Sequence, residues 1–274
     1  MAMRKTKKRV VALGDLHCGH RVGLTPPEYQ WHAPDTTKHA WLKYGRIQSE
    51  AWNWYIAKIK ELRPVDLLLV SGDCIDGRGE RSGGVELVTA DRNEQVDMAV
   101  ACLAPWKAKQ VVMVRGTPYH AGTWESWEDP IADRLGAKIG NHEWVTVKVG
   151  RNEVTFDLKH HIGGSQIPHG RATAIKRDAL WNLIWAEAGL QPRADWILRG
   201  HVHYYGSTSH YVGGRKVTAM TLPALQGMGS RYGAQKMSGT VDFGLVSWDI
   251  TKDTVTCDDH ITLLAAQEAA ALSV

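Results

Sequence analysis

The stretch Arg9-Val10-Val11-Ala12-Leu13-Gly14-Asp15-Leu16-His17 decides the fold. A short apolar run of this kind reads as a strand buried on both faces. It stops at a glycine and then sets down a carboxylate and an imidazole two residues apart. Open α/β sheets place their chemistry just past the carboxyl ends of strands, where Asp15 and His17 fall. Val65-Asp66-Leu67-Leu68-Leu69-Val70-Ser71-Gly72-Asp73 repeats the pattern, and so does Trp196-Ile197-Leu198-Arg199-Gly200-His201-Val202-His203. Side chains two residues apart on an extended chain point the same way, so Asp15 with His17, and His201 with His203, face one site.

Outward from these strands the pattern alternates. An irregular stretch, Arg21 to Lys43, is long enough to be a lid, and a helix follows from about Arg46 to Leu62, closed by Pro64. A Gly/Arg-rich loop, Gly77 to Gly84, leads to a helix from about Arg92 to Trp106. The third strand, Gln110 to Val114, ends in Arg115-Gly116-Thr117-Pro118-Tyr119-His120. Glu125 to Leu135 reads as a helix that Pro130 threatens to break. From Trp144 the texture becomes a hairpin, Trp144–Val149 and Glu153–Leu158, which delivers His160 and His161. After a helix from about Arg171 to Ala188 and the Trp196 strand, the chain is strand-rich: Ser207–Val212, Lys216–Leu222, Val241–Ile250 and Thr254–Leu263. Leu264 onward reads as a short helix or frayed tail. Parallel units first and antiparallel pairs second imply α/β architecture: two sheets face to face with helices outside, in a single domain over 1–274.

Composition narrows the function classes. With 274 residues the chain can bury a sizeable core, and no apolar run approaches a membrane span. The basic start leads into a strand too short for a signal-peptide core, which predicts a cytoplasmic protein, bacterial or in a phage-infected host cell. The net charge of +4 earns no nucleic-acid assignment by itself. Cys18, Cys74, Cys102 and Cys257 lack metal-finger spacing and read as reduced, small apolar residues. The 12 tryptophans form no repeat and are expected to pack helices against sheets. The oligomeric state is not legible.

The strand ends supply Asp15, His17, Asp73, His160 or His161, His201 and His203. Mixed oxygen and nitrogen donors suit Mn, Fe, Zn, Ni or Co over Ca²⁺ or Mg²⁺; affinity order does not choose among them, and Mn²⁺ is the ion expected first. Six donors exceed what one tetrahedral ion uses, whereas two divalent ions sharing a carboxylate would use all of them. Such a pair clamps a phosphoryl group during in-line displacement.

In order along the chain, Asp15-x-His17, Gly72-Asp73-Cys74-Ile75-Asp76, His160 and Gly200-His201-Val202-His203 resemble the signature of the calcineurin-like metallophosphoesterases. That superfamily includes purple acid phosphatases, Ser/Thr protein phosphatases and certain nucleases. The resemblance implies a four-layer αββα sandwich. It also implies a first ion held by Asp15, His17, Asp73 and His203, and a second held by His160 and His201, with Asp73 bridging. The family's placement of its strand-end ligand favours His160 over His161, which stays in reserve. Where the family carries Gly-Asn-His-Asp/Glu after the third strand, this chain has Gly116-Thr117-Pro118-Tyr119-His120. Phage and bacterial members look similar there, with Gly-Thr-Pro-x-His. Thr117 then takes the asparagine's place, as a neutral metal ligand or by way of a held water, and His120 protonates the leaving oxygen or completes the second ion. A literal Gly140-Asn141-His142-Glu143 is read as the turn into the Trp144 strand. Asp76 is expected to position a histidine or a water from behind. Of Arg78, Arg81, Arg92 and Arg115, Arg115 is expected to neutralise phosphate; Arg171 and Arg177 are lesser candidates.

These features predict a dinuclear metal-dependent phosphoesterase, foremost a phosphodiesterase acting on nucleic acid or nucleotides. Its alternatives are a phosphomonoesterase or phosphoprotein phosphatase, and a catalytically weak metal-binding structural or binding protein. No membrane partner is expected.

Overall fold

The computed structural model describes residues 7–31, 39–165, 167–212, 214–230 and 241–264. The first half contains β1 (Lys7–Leu13), α1 (His39–Leu62), β2 (Leu67–Val70), α2 (Arg92–Leu103), β3 (Gln110–Val114), α3 (Pro118–Ala121), α4 (Asp129–Leu135) and β4 (Lys138–Gly140). The second contains β5 (Glu143–Val149), β6 (Asn152–Lys159), α5 (Arg171–Glu187), β7 (Trp196–Arg199), β8 (Gly206–Val212) and β9 (Arg215–Thr221). β10 (Phe243–Thr251) and β11 (Val255–Thr262) return to the first sheet, whose order is β11-β10-β1-β2-β3-β4. The second sheet runs β5-β6-β7-β9-β8.

The apolar runs are explained by burial on both faces. Val10 and Ala12 of β1, with Leu67 and Leu69 of β2, meet Phe156, Leu158, Leu198 and Met220 of the opposite sheet. Val11 and Leu13, with Leu68 and Val70, point the other way, onto Ala51, Tyr55 and Ile59 of α1 and Val96 and Ala99 of α2. On the far side of the second sheet, Ile197, Val217 and Ala219 pack on Ile175 and Ala179 of α5. The layers are therefore helix, sheet, sheet, helix, as the strand pattern implies. Cutting the wholly buried Leu69 to alanine should cost about 2–5 kcal/mol, because neither sheet can close over the hole.

β1, β2 and β3 are mutually parallel, as are β6 and β7, so the carboxyl ends of five strands open toward one edge of the sandwich. Backbone bonds continue the zipper past the strands: Asp15 N–H to Gly72 O (2.9 Å), His17 N–H to Asp73 O (3.0 Å) and Gly200 N–H to His160 O (2.9 Å).

Several boundaries differ from the sequence expectation. α1 begins at His39, so helix takes the end of the stretch expected to be irregular. The start of that stretch is not a detached lid: Leu24 and Thr25 are fully buried, and Trp31 N–H donates to Gln48 Oε1 of α1. Its residues 32–38, like the tail from 265, lie outside the described residues. Pro105 ends α2 early, in a single turn over Ala104–Trp106. Pro130 opens α4 rather than breaking a helix begun at Glu125, because a first-turn proline needs no amide partner. β4 was not foreseen, having one large apolar residue, Ile139. Cys18, Cys74 and Cys102 are free and buried, as expected of small apolar residues.

Candidate metal centre

Among the described residues, the histidines and carboxylates gather in three groups of mutually close donor atoms: Asp15/His17/His203, Asp73/His160/His201 and His17/Asp76/His120. Each of the six strand-end donors expected from the sequence falls in the first two. His161 is exposed and belongs to neither, so the structure separates it from its buried neighbour His160.

In the first group Asp15 Oδ1 lies 3.9 Å from His17 Nε2 and 3.3 Å from His203 Nε2, and the two imidazole nitrogens are 3.2 Å apart. Donors around one ion at ~2.1 Å stand roughly 3–4 Å from one another, so this triangle has the dimensions of one coordination face. The tautomer suits it as well. His17 Nδ1 donates to Asp76 Oδ1 at 2.9 Å, which leaves the Nε2 lone pair facing the other two donors.

The second group is built alike. His160 Nδ1 donates to the Ser71 carbonyl at 2.6 Å. Its Nε2 is buried and sits 3.0 Å from Asp73 Oδ2 without the alignment of a hydrogen bond. A buried ring nitrogen set against a carboxylate without a hydrogen bond to it fits a positive charge between them, a proton or a metal ion. The two groups are joined through His201, whose backbone N–H donates to both oxygens of Asp15 at 3.2 and 3.1 Å.

Charge within the centre favours cations. Burial alone would raise the Asp73 carboxyl, but the adjoining His160 holds it far below the usual carboxylate range. Burial alone would lower His160, yet Asp73 drives it up to about 10. Asp15 is likewise held low by His203 against its own burial. His201, pushed down to about 4 by burial and then by His160, is a neutral imidazole with a lone pair to offer. The donor set fits divalent metal binding; Asp73, which the resemblance sets with Asp15, His17 and His203 as a bridge, falls in the group of His160 and His201.

Backbone conformation marks the same residues. Asp15, His17, Asp73, His201 and His203 all have φ between 46° and 73°, the left-handed region that side chains other than glycine avoid. Only one other non-glycine residue described shares it, Lys107. Such strain persists where the surrounding structure over-determines it, and here it is concentrated on donors. Gly72 and Gly116 allow the loops to meet, since a Cβ on Gly116 would lie 2.0 Å from Asp73 Oδ1.

Thr117 donates to Asp73 twice, from its N–H at 2.7 Å and its hydroxyl at 3.1 Å, so it braces the carboxylate. His120 is also brought in: its Nδ1 donates to the Asp76 carbonyl at 2.9 Å and its ring meets His17 edge-on at 4.5 Å. Burial, followed by His17, lowers its pKa. Asp76 is behind His17, as expected. Arg115 is not brought in. Its guanidinium forms a bidentate pair with Asp129 (2.8 and 3.0 Å), which occupies the fork that phosphate would need. Arg92 lies over Trp127 and Arg171 over Tyr204. Arg177 is exposed on α5, and the side chain of Arg81 lies outside the described residues. Arg78, exposed two residues beyond Asp76 and without an ion pair among the described residues, is better placed than Arg115.

His142 joins a different network. Its Nε2 donates to Asp157 Oδ1 at 2.7 Å, and that carboxylate also receives Arg199 at 2.7 Å and Asn182 at 3.3 Å. The literal Asn141-His142 string is thus a turn into β5, although, against the sequence expectation, it does follow a strand, β4, parallel to β3.

One residue escaped sequence reasoning. Glu128 is fully buried, and its two oxygens accept Cys74 N–H (2.9 Å) and Gly116 N–H (2.6 Å), clamping the loops after β2 and β3. Burial, then Asp73, raises its pKa. A lone glutamate inside a stretch that reads as helix carries no local signal of such a role.

No protein family and no curated protein matches the chain. Among solved structures it is similar to a metallophosphoesterase from Sphaerobacter thermophilus, at 12% identity and a TM-score of 0.37, covering 94% of this chain and 89% of that one. It is similar to the sulfate thiohydrolase SoxB of Thermus thermophilus at 14% identity and 0.44, covering 96% of this chain and 57% of that one. For the phosphopantetheinyl hydrolase of Mycobacterium tuberculosis the values are 11% and 0.35, with 86% and 95% covered. At such identities none of these says what this chain does. Among the described residues no helix is long and apolar enough to cross a membrane.

Proposed function

We propose that the chain is a dinuclear metal-dependent phosphoesterase, and within that class a phosphodiesterase acting on nucleic acid or nucleotides. The observation that carries it is the pair of neighbouring donor groups, Asp15/His17/His203 and Asp73/His160/His201, each with nitrogen lone pairs oriented inward by a second hydrogen bond. Bound there, two divalent ions supply Lewis acidity toward phosphoryl oxygens and make a water acidic near neutral pH.

The chain's own residues do the rest. Asp76 fixes the His17 tautomer, and Thr117 and Glu128 hold Asp73 and its loop in register. His120, at the partly open mouth of the centre, can hand a proton from its ring to a departing oxygen. Its lowered pKa keeps it neutral near pH 7, so it supplies that proton best on the acid side. Arg78 can approach a phosphate without first breaking an ion pair. These groups need no covalent enzyme intermediate.

The test compares bis-para-nitrophenyl phosphate, para-nitrophenyl phosphate and single-stranded DNA with Mn²⁺ present. Faster turnover of the diester and DNA is expected. Preference for the monoester moves the substrate to the alternative class. Full metal loading with no turnover of any ester, under Mn²⁺, Fe, Zn, Ni or Co, ends the enzyme proposal.

A further inference from the structure

We propose that the outer face of α5 is a self-association surface, which seats the α5 helix of a second copy of this chain in antiparallel fashion. The inner face of α5, Ile175, Ala179 and Asn182, is buried on the second sheet. The outer face of such a helix is ordinarily polar. Here it carries Leu180, Trp181, Ile184 and Trp185, which stay 57%, 47%, 42% and 43% exposed. Their i, i+4 spacing makes one stripe rather than scattered residues.

The stripe has the features of a contact. Trp181 and Trp185 already stack at 5.6 Å and 15°, so little rotamer freedom remains to be lost on docking. With Leu180 and Ile184 they present roughly 400 Å² of apolar surface, the size of the largest patch on an ordinary monomer, which is often a functional one. A recess of about 300 Å³ beside it, lined by Ala179, Leu180, Leu183 and Val217 with Lys176, Arg193 and His210 around them, can receive a side chain from the facing copy. Two such patches fall short of the ~800 Å² per partner of standard interfaces, so the dimer should be a dissociable one.

Charge selects the occupant. Arg177, one turn before the stripe, is exposed and makes no ion pair among the described residues. Glu187, beyond its other end, pairs with Arg193 alone among the described residues, at 3.8 Å and with a largely exposed carboxylate. Antiparallel pairing centred near Asn182 sets Arg177 against Glu187 of the partner subunit, twice by symmetry. Parallel pairing would oppose like charges. A nucleic acid or an anionic membrane would gain nothing from the acidic end, whereas a second copy uses both ends.

Sedimentation velocity on the full chain tests this. The wild type should show a monomer–dimer equilibrium, and Ile184→Glu should leave monomer only. Arg177→Glu should weaken the dimer about tenfold, and adding Glu187→Arg to it should restore the affinity. A wild type that stays monomeric up to its solubility limit overturns the proposal. So does a dimer indifferent to Ile184→Glu, or a double variant no tighter than Arg177→Glu. A monomer that instead co-sediments with phosphatidylserine vesicles or single-stranded DNA transfers the face to those occupants and likewise overturns it.

Discussion

Two histidine–aspartate pairs lie near the carboxyl ends of strands in this molecule, and they have opposite fates. His17–Asp76 (2.9 Å) and His142–Asp157 (2.7 Å) are similar in length, and both aspartates are buried. Asp157 is saturated: burial would raise it, but Arg199 supplies a full positive charge and, with His142, holds it low. Arg199 in turn also engages Asp178 at 2.7 Å. Nothing in that cluster needs a further cation. Around His17 the neighbours are Asp15, His203 and, through Asp73, His160, so lone pairs and carboxylates converge with no arginine among them. The pairing itself therefore does not make a site; carboxylates that no arginine around them neutralises do.

Experiments can break that contrast in order of effect. Asp73→Asn removes the carboxylate that the proposed function sets between two ions and should lower hydrolysis about a thousandfold or more, with metal content falling in elemental analysis. Retained activity and metal would end the dinuclear assignment. His120→Ala should lower kcat by ~10²–10⁴-fold in steady-state assays. If metal content drops with it, His120 is a ligand rather than a proton donor. Asp76→Asn should weaken metal binding about 10–100-fold by calorimetric titration, because the His17 tautomer is no longer enforced. His142→Ala should have the smallest effect on hydrolysis, within about twofold, while costing ~1–3 kcal/mol in urea unfolding, since Asp157 loses a buried partner. If His142→Ala and His120→Ala exchanged these outcomes, the literal Asn-His string would be the functional one after all.

The contrast also shows what a single chain of letters carries. The sandwich and its donor edge were readable because Asp15, Asp73, His160 and His201 each come just after an apolar strand, so local pattern and the gathered side chains coincide. β1 to Asp15 and β7 to His201 are cases of this. Where the answer depends on a distant partner, the letters mislead. Arg115 stands beside the right loop, but Asp129, fourteen residues on, takes its guanidinium. Glu128 matters through two amides far away in sequence, and no periodicity announces that. His160 and His161 are adjacent, and only the fold buries one and exposes the other.

The left-handed torsions at Asp15, His17, Asp73, His201 and His203 have a consequence for engineering. Each costs about 1 kcal/mol or more that glycine would not incur. His201→Gly or His203→Gly should accordingly melt higher than wild type when both are stripped with chelator, and fall behind once metal is restored. Robustness and reactivity are set against each other at single α-carbons, so thermostability screens run without metal would select against the donors themselves.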